Sequence, residues 1–328
     1  AYGAAEQASL DATWEVAVWQ PCPIVYPYLR RSIDVELGGR AGCFDIVSPY
    51  GYAGIWGPAE VSTESWAQFR AAFRGAMRDR GCVAEFMRLS SLVPGADALL
   101  GSDSALQSTQ HNDTVLVSLQ AGYDAYWTAA AKRSRTAVRK ARKLGYQLTV
   151  RAAAADLGSG GAFRRVYEET MRRVEASPRY FFDASYYDCL LDGLGERLHL
   201  AEVRSADGAV VAAALFMQWG QLLHYHLSGS QREAARAGVN NMMIDGVIRH
   251  AVDVLDVTRL HLGGGVTAED SLFKFKLGFG GERLPFRVAH SVLDDEAYRT
   301  LVAARARARG TTEVELIESG FFPAYRAA

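Results

Sequence analysis

The residues most able to do chemistry stand in LFKFKLGFGG, residues 272–281. Lys274 and Lys276 are interleaved with Phe273 and Phe275 and run into Gly278, Gly280 and Gly281. Of the 36 basic residues in the chain only five are lysines, and two of the five fall here. An ammonium held beside aromatic rings in a partly dry site can stabilise an oxyanion or bind an acyl carbonyl. As a strand, the segment would put its phenylalanines on one face and its lysines on the other. As a helix, it would turn Phe275 and Phe279 inward at i,i+4 spacing and point Lys276 elsewhere. A pair of strand-edge lysines that discourage aggregation is the structural alternative.

Four other stretches carry usable chemistry. From Ala125 to Ala155 there is no Asp or Glu, and the stretch holds Lys132, Arg133, Arg135, Arg139, Lys140, Arg142, Lys143 and Arg151. With no acid for i,i+4 pairing, this concentration of charge reads as a face for a polyanion such as a nucleic-acid backbone. In FDIVSPYGYAGIWGP, residues 44–58, Tyr50, Tyr52 and Trp56 alternate with glycines, a pattern that suits a loop lining a ligand. In LHYHLSGS, alternation sets His224 and His226 on one strand face and Tyr225 on the other. These two histidines and His261 lack a further ligand at metal spacing, so no metal is expected. In ETMRR, Arg172 and Arg173 diverge by about 100° on a helix, so only one can share a given site.

These residues need a scaffold, and the sequence outlines one. Trp127, Ala131, Ser134, Val138 and Ala141 form a helical stripe closed by Gly145. Residues 147–152 alternate as a strand. Helices are expected over 163–176 and 240–255, and strands over 199–205, 210–219, 221–230 and 259–265. The first half offers a helix over 59–81 and strands in VAEFMRLS and NDTVLVSLQ. Mixed strands and helices arranged twice over predict an α/β chain of two similar modules, divided where the charge changes near residue 150. With 328 residues, 49% apolar, and a formal charge of −1, either module can bury a core of its own. Cys22, Cys43, Cys82 and Cys189 form no zinc-type or CxxC spacing and read as reduced thiols. No apolar run spans a membrane, and residues 1–16 lack signal-peptide character. A cytoplasmic monomer is expected.

Taken in order, SPYGYAGIWGP, VAEFMRL, KRSRTAVRKARKLGY, ETMRR, LHYHLSGS, HLGGG and FKLGFGG resemble the Fem family of aminoacyltransferases and its relatives in actinobacterial antibiotic pathways, over roughly residues 44–300. The resemblance implies two tandem GNAT-like acyltransferase modules with a cleft between them and no coiled-coil arm. The first would be residues 1–150 with a returning tail over 295–328, and the second 151–294. It implies transfer of an amino acid from aminoacyl-tRNA to the amine of a small-molecule or peptide acceptor, with no cofactor beyond the charged tRNA. On the FKxxFG pattern Lys276 becomes the oxyanion-holding cation, beside Phe275. Asp270, Tyr225 and His226 are base or orienting candidates, and Arg173 a contact for an acidic group of the acceptor. Tyr50, Tyr52, Trp56 and Arg88 would bind substrate. Lys132, Arg133, Arg135, Arg139, Lys140, Arg142 and Lys143 would hold the tRNA backbone.

The chain also departs from the pattern. Family members acting on peptidoglycan precursors use an N-terminal lysine near a diphosphate, and here no lysine precedes Lys132. The glycine-rich pyrophosphate loop of acetyl-CoA users is reduced to ARAGVN, 235–240. Peptidoglycan-precursor transfer and acyl-CoA-dependent N-acylation are therefore the alternatives, with a non-catalytic tRNA- or peptide-binding double module as a third.

Overall fold

A computed structural model describes residues 1–33, 42–52, 54–58, 60–90, 92–93, 96–153, 157–158 and 160–327. Ala53 of the aromatic–glycine loop, Ala59 at the head of the expected 59–81 helix, and Ala154 and Ala155 of the acid-free stretch lie outside them. In chain order the first elements are α1 (Tyr2–Ser9), β1 (Thr13–Trp19), β2 (Ile24–Ser32), β3 (Phe44–Val47), α2 (Thr63–Asp79), β4 (Cys82–Leu89) and α3 (Ala96–Ser102). Next come β5 (Gln107–Ser118), α4 (Gly122–Ala129), α5 (Lys132–Lys143), β6 (Gln147–Ala152), α6 (Ala162–Arg173) and α7 (Ala184–Leu194). Then follow β7 (Leu198–Arg204), β8 (Val210–Trp219), β9 (Leu222–Ser230), α8 (Arg232–Ala237), α9 (Val239–Asp253), β10 (Arg259–Gly264) and α10 (Ser271–Leu277). The last are β11 (Glu282–Val292), α11 (Asp295–Arg309) and α12 (Glu313–Glu318).

Contacts divide the chain into two units, one of residues 1–5 and 112–284, the other of residues 6–111 and 285–328. This division differs from the charge-based boundary near residue 150. The charge change marks only the end of α5, and α5 packs on α9 inside the first of these units.

In the unit of residues 1–5 and 112–284, β10 pairs with β5 antiparallel and with β9 parallel, and β9, β8, β7 and β6 follow in antiparallel order. Strand β8 is apolar at nearly every position because both its faces are covered. Ala212, Ala214 and Phe216 join the core with Met243, Val247 and Ile248 of α9. Ala213 and Leu215 join the core with Phe163 and Tyr167 of α6 and Tyr186 and Tyr187 of α7. Helix α6 lies so close to β9 that a Cβ on Gly229 would stand 2.5 Å from the Val166 carbonyl oxygen and 2.6 Å from Tyr167 Cα. Only glycine fits at this position of the strand.

The unit of residues 6–111 and 285–328 has the sheet order β1, β2, β3, β4, β11, antiparallel except for the β3–β4 pair. Ser62 caps α2 by accepting from the Ser65 N–H at 3.1 Å. The helix buries Trp66, Phe69, Phe73 and Met77 at three- and four-residue spacing. Arg70, on the same face, is also buried. It pairs bidentately with buried Glu85 at 2.9 and 2.7 Å and turns its Nε to Asp103 at 3.0 Å. The C-terminal residues are tied into this unit as well. Buried Asp45 accepts from the Tyr325 hydroxyl at 3.0 Å and pairs with Arg31 and Arg326.

The expected elements at 210–219, 221–230 and 259–265 coincide with β8, β9 and β10 to within a residue. The basic helical stripe does not run unbroken. Ala130 and Ala131 are extended, with ψ of 140° and 143°, and split it into α4 and α5. The break lets the Ala131 N–H reach the Gly278 carbonyl at 3.0 Å, a tertiary bond that periodicity does not encode.

Candidate functional site

The segment that carries Lys274 and Lys276 is helical, as α10. Asp270 caps it, Oδ1 accepting from the Phe273 N–H at 2.7 Å and Oδ2 from the N–H groups of Val266 and Thr267 at 2.7 and 3.1 Å. Burial alone would raise this carboxyl. The backbone donors outweigh it and hold Asp270 below its ordinary value. Its oxygens are committed to shaping the turn, so the expected base candidate is placed as a cap.

Phe275 and Phe279 meet edge to face at 5.2 Å, the i,i+4 contact expected of a helix. Lys276 does not point away from the core, as a helix with both phenylalanines inward would suggest. It is buried, and its Nζ donates to the Gly264 carbonyl at 2.7 Å. That carbonyl lies beyond a ladder end. The parallel pairing of β9 with β10 covers Leu222–His224 against Arg259–His261 and goes no further. The two strands continue past it, and the lysine amine bonds to β10 in that region. Nζ also stands 5.7 Å from the centre of the Tyr225 ring on β9. Among the described residues no carboxylate lies within ion-pair distance of it. Burial pulls the amine down to about 8, while Asp270 acts more weakly in the opposite direction.

Three imidazoles share this part of the unit. His224 Nδ1 and His261 Nδ1 are hydrogen-bonded at 3.0 Å, with the rings stacked. His226 Nε2 is bonded to the Tyr186 hydroxyl at 2.7 Å. Burial lowers all three histidines, His224 to about 4 and His226 to about 3, and neighbouring charge adds to the effect. They are neutral at physiological pH. Tyr225 donates its hydroxyl to Ser228, and burial pushes it up to about 12. Among the described residues no three of His, Cys, Asp or Glu are arranged to hold a metal ion.

The structure therefore gathers Lys276, Phe275, Asp270, Tyr225 and His226 in one neighbourhood. The structure adds Tyr186, His224 and His261 to this neighbourhood. The HxH alternation marked His224, but Tyr186 reaches the site from a helix to which no motif pointed. Arg173 lies exposed near the end of α6, its Nη2 3.5 Å from Thr170 Oγ1. Tyr50, Tyr52, Trp56 and Arg88 belong to the other unit. There Arg88 lies over the Tyr50 ring at 5.4 Å, Tyr52 meets Phe286 edge to face at 5.1 Å, and Trp56 is 54% exposed.

The seven basic residues of α5 do not act alike. Arg142 pairs with buried Asp245 at 2.7 Å. Arg135 donates to the Trp127 and Thr128 carbonyls, Lys140 to the Arg236 carbonyl, and Arg133 to the Lys274 carbonyl. Arg139 lies over the Trp127 ring at 5.5 Å. Lys132, Arg139 and Lys143 keep exposed charges on one helical side, with no carboxylate partner among the described residues. The ARAGVN run forms the end of α8, a left-handed Gly238 (φ 96°) and the start of α9. Helix α5 packs directly on this junction, where a Cβ on Gly238 would stand 2.5 Å from the Ala137 carbonyl oxygen.

Residues 128–276, within the unit that holds Lys276, match a family model described as an acetyltransferase (GNAT) domain. No curated protein matches the sequence. Among solved structures the chain is similar to FemX, with a TM-score of 0.70 and 15% identity over 91% of this chain and 92% of that one. It is similar to the C-terminal domain of a putative lysylphosphatidylglycerol synthetase from Agrobacterium fabrum, with a TM-score of 0.59 and 16% identity over 92% and 90%. It is also similar to a tandem GNAT protein from the clavulanic acid biosynthesis pathway, with a TM-score of 0.52 and 9% identity over 88% of each chain. The fold is the mixed α/β, GNAT-like type expected from the sequence. No described helix is long and apolar enough to cross a membrane.

Proposed function

We propose that this protein is an acyltransferase that moves an amino acid from the ester of a charged tRNA to the amine of a small-molecule or peptide acceptor, forming an amide. The observation that carries the reading is Lys276, a buried amine with no carboxylate partner among the described residues, held on the Gly264 carbonyl. The ester is already activated, so the enzyme must mainly position the reactants and stabilise the oxyanion. A buried cation suits that task, because charge interactions strengthen as water is excluded.

Two features favour tRNA over acyl-CoA as donor. The exposed charges of Lys132, Arg139 and Lys143 suit a phosphate backbone. A CoA pyrophosphate normally sits on a glycine-rich loop at a helix N-terminus. Here that loop is replaced by the α8–α9 junction with α5 packed on it. The fold shared with FemX and with a lysylphosphatidylglycerol synthetase domain is compatible with aminoacyl transfer. The absence of a lysine before Lys132 favours a natural-product amine over a peptidoglycan precursor. A charged-tRNA donor implies a cytoplasmic reaction. Acyl-CoA-dependent N-acylation is the second reading, supported by the match of residues 128–276 to the acetyltransferase model.

A donor assay separates the two. The protein is incubated with acceptor amines and either tRNA charged with radiolabelled amino acids or labelled acetyl-CoA, with RNase added to a parallel tRNA reaction. RNase-sensitive transfer of an amino acid is expected. Label arriving only from acetyl-CoA would overturn the tRNA reading.

A further inference from the structure

An amine acceptor arrives in water as an ammonium ion, and an ammonium cannot attack an ester. Some group must take its proton. The groups facing Lys276 are His224 and Tyr225 on β9, His261 on β10, and Asp270 at the cap of its own helix. Asp113, on β5 beside Gly264, turns its carboxylate to Arg283 at 3.6 Å. Each is already engaged, and the His224–His261 pair, which keeps an Nε2 lone pair on one ring, is by its burial a much weaker base than a lysine amine. The oxygens of Asp270 take backbone N–H groups, Tyr225 is itself a donor to Ser228, and His224 and His261 are bonded to each other. His226 is engaged with Tyr186. Lys276 remains. It has a carbonyl to hold it in place and, among the described residues, no carboxylate within ion-pair distance to fix it as an ammonium.

Resting on the acyl-transfer reading above, we propose that Lys276 is the proton acceptor of the reaction as well as its cation: the neutral amine takes the proton from the acceptor's ammonium, and the ammonium so formed then faces the developing oxyanion. The balance closes with no further reactant. One proton passes from the acceptor nitrogen to Nζ. The freed lone pair forms the C–N bond as the carbonyl oxygen becomes an oxyanion beside Nζ. The C–O bond to the tRNA ribose breaks, and the leaving oxygen takes a second proton from the attacking nitrogen. Lys276 afterwards releases its proton to water. The lowering of the amine to about 8 leaves both protonation states within reach at working pH, as a base that becomes a cation requires. Gly264 supports both states, since its carbonyl accepts a hydrogen bond from either.

Arginine separates the two roles, because it keeps a positive charge and does not deprotonate in proteins. The test compares wild type, Lys276→Arg and Lys276→Ala on the tRNA donor. The acceptors are an alkyl amine and hydroxylamine, which is unprotonated at neutral pH. The base role predicts that Lys276→Arg loses more than 100-fold toward the amine and recovers most of its rate toward hydroxylamine, while Lys276→Ala is inactive with both. It also predicts a wild-type amine rate that rises as pH passes through about 8. An arginine variant within a few-fold of wild type toward the amine overturns the proposal, leaving Lys276 as a cation only. So does a wild-type rate that falls across that window, including where the arginine variant is silent toward both nucleophiles. A readout without substrate comes from [13C]lysine NMR, since the chain has five lysines. One ε-resonance, lost in Lys276→Arg, should titrate at about 8. A Lys276 resonance that does not titrate in that range would overturn the proton role. Failure of wild type to transfer from any donor would instead remove the proposed function itself.

Discussion

Arg142 and Asp245 are joined at 2.7 Å, the carboxylate wholly buried in α9 and the guanidinium about half exposed on α5. Asp245 also accepts from the hydroxyls of Tyr123 at 2.9 Å and Tyr126 at 3.3 Å, so one carboxylate ties α4 and α5 to α9. Burial raises Asp245 above its ordinary value, and these partners only partly offset it. Asp245→Ala leaves the buried Tyr126 hydroxyl without its acceptor and should cost about 1–3 kcal/mol. Asp245→Asn keeps an acceptor oxygen and should cost less. Thermal unfolding of both variants checks the order, and an unchanged midpoint for Asp245→Ala would remove the carboxylate from its linking role.

Asp270 is a cap, and this makes a prediction that a general base would not. Asn can keep the Phe273 cap through its one carbonyl oxygen but turns an NH2 toward the Val266 and Thr267 N–H groups, so Asp270→Asn should lose some stability and rate, and less of each than Asp270→Ala. Asp270→Ala should lose about 0.5–2 kcal/mol of local helix stability and, through a misplaced Lys276, much of the rate. Loss of activity in Asp270→Asn with unfolding unchanged would return Asp270 to the chemistry.

The charges of α5 should separate in a salt titration. Replacing Lys132, Arg139 and Lys143 together by Ala should weaken tRNA binding at low salt. It should also flatten the plot of log K against log salt by about 0.7–0.9 for each phosphate no longer neutralised. Arg142→Ala should leave that slope nearly intact, because its guanidinium serves Asp245. Equal effects of the two sets in filter binding would mean that the exposed row has no special part.

The buried imidazoles set an acid limit on stability. His224 and His226 are lowered to about 4 and about 3, so between those values and about 6.5 the unfolded chain binds protons that the folded one refuses. Stability is therefore full above about pH 6.5 and falls as pH drops through that window. The slope reaches at most about 1.4 kcal/mol per pH unit for each histidine. His224→Gln should flatten the decline in a series of melts between pH 7 and 4. A decline of unchanged steepness would place the acid sensitivity elsewhere.

Much of this was legible in the sequence. Strand β8 announced itself as an apolar run, and α9 by its period. The helical option for residues 272–281 carried the Phe275–Phe279 contact with it. What was not legible follows from tertiary contacts. Lysine at a helix position normally predicts exposure, so nothing local foretold that Lys276 would bury its amine against Gly264. Seven basic residues in twelve positions looked alike until Asp245 and the carbonyls of Trp127, Arg236 and Lys274 took four of them. The split between α4 and α5 depends on a bond to Gly278, about 150 positions later in the chain.

The chain order of the two units has a consequence for synthesis. Residues 112–284 supply nearly all of one unit, while the other is made of 6–111 together with 285–328. On a ribosome, which delivers the N-terminal end first, the embedded unit has its whole sequence while its host still lacks β11, α11 and the Tyr325–Arg326 partners of Asp45. Until they emerge, Val83 lacks the Leu301, Val302 and Tyr325 side of its core and Asp45 lacks its Tyr325 and Arg326 partners. Stalled or truncated chains ending before residue 285 should therefore keep a protease-resistant core from the later-made unit and lose the earlier one to digestion.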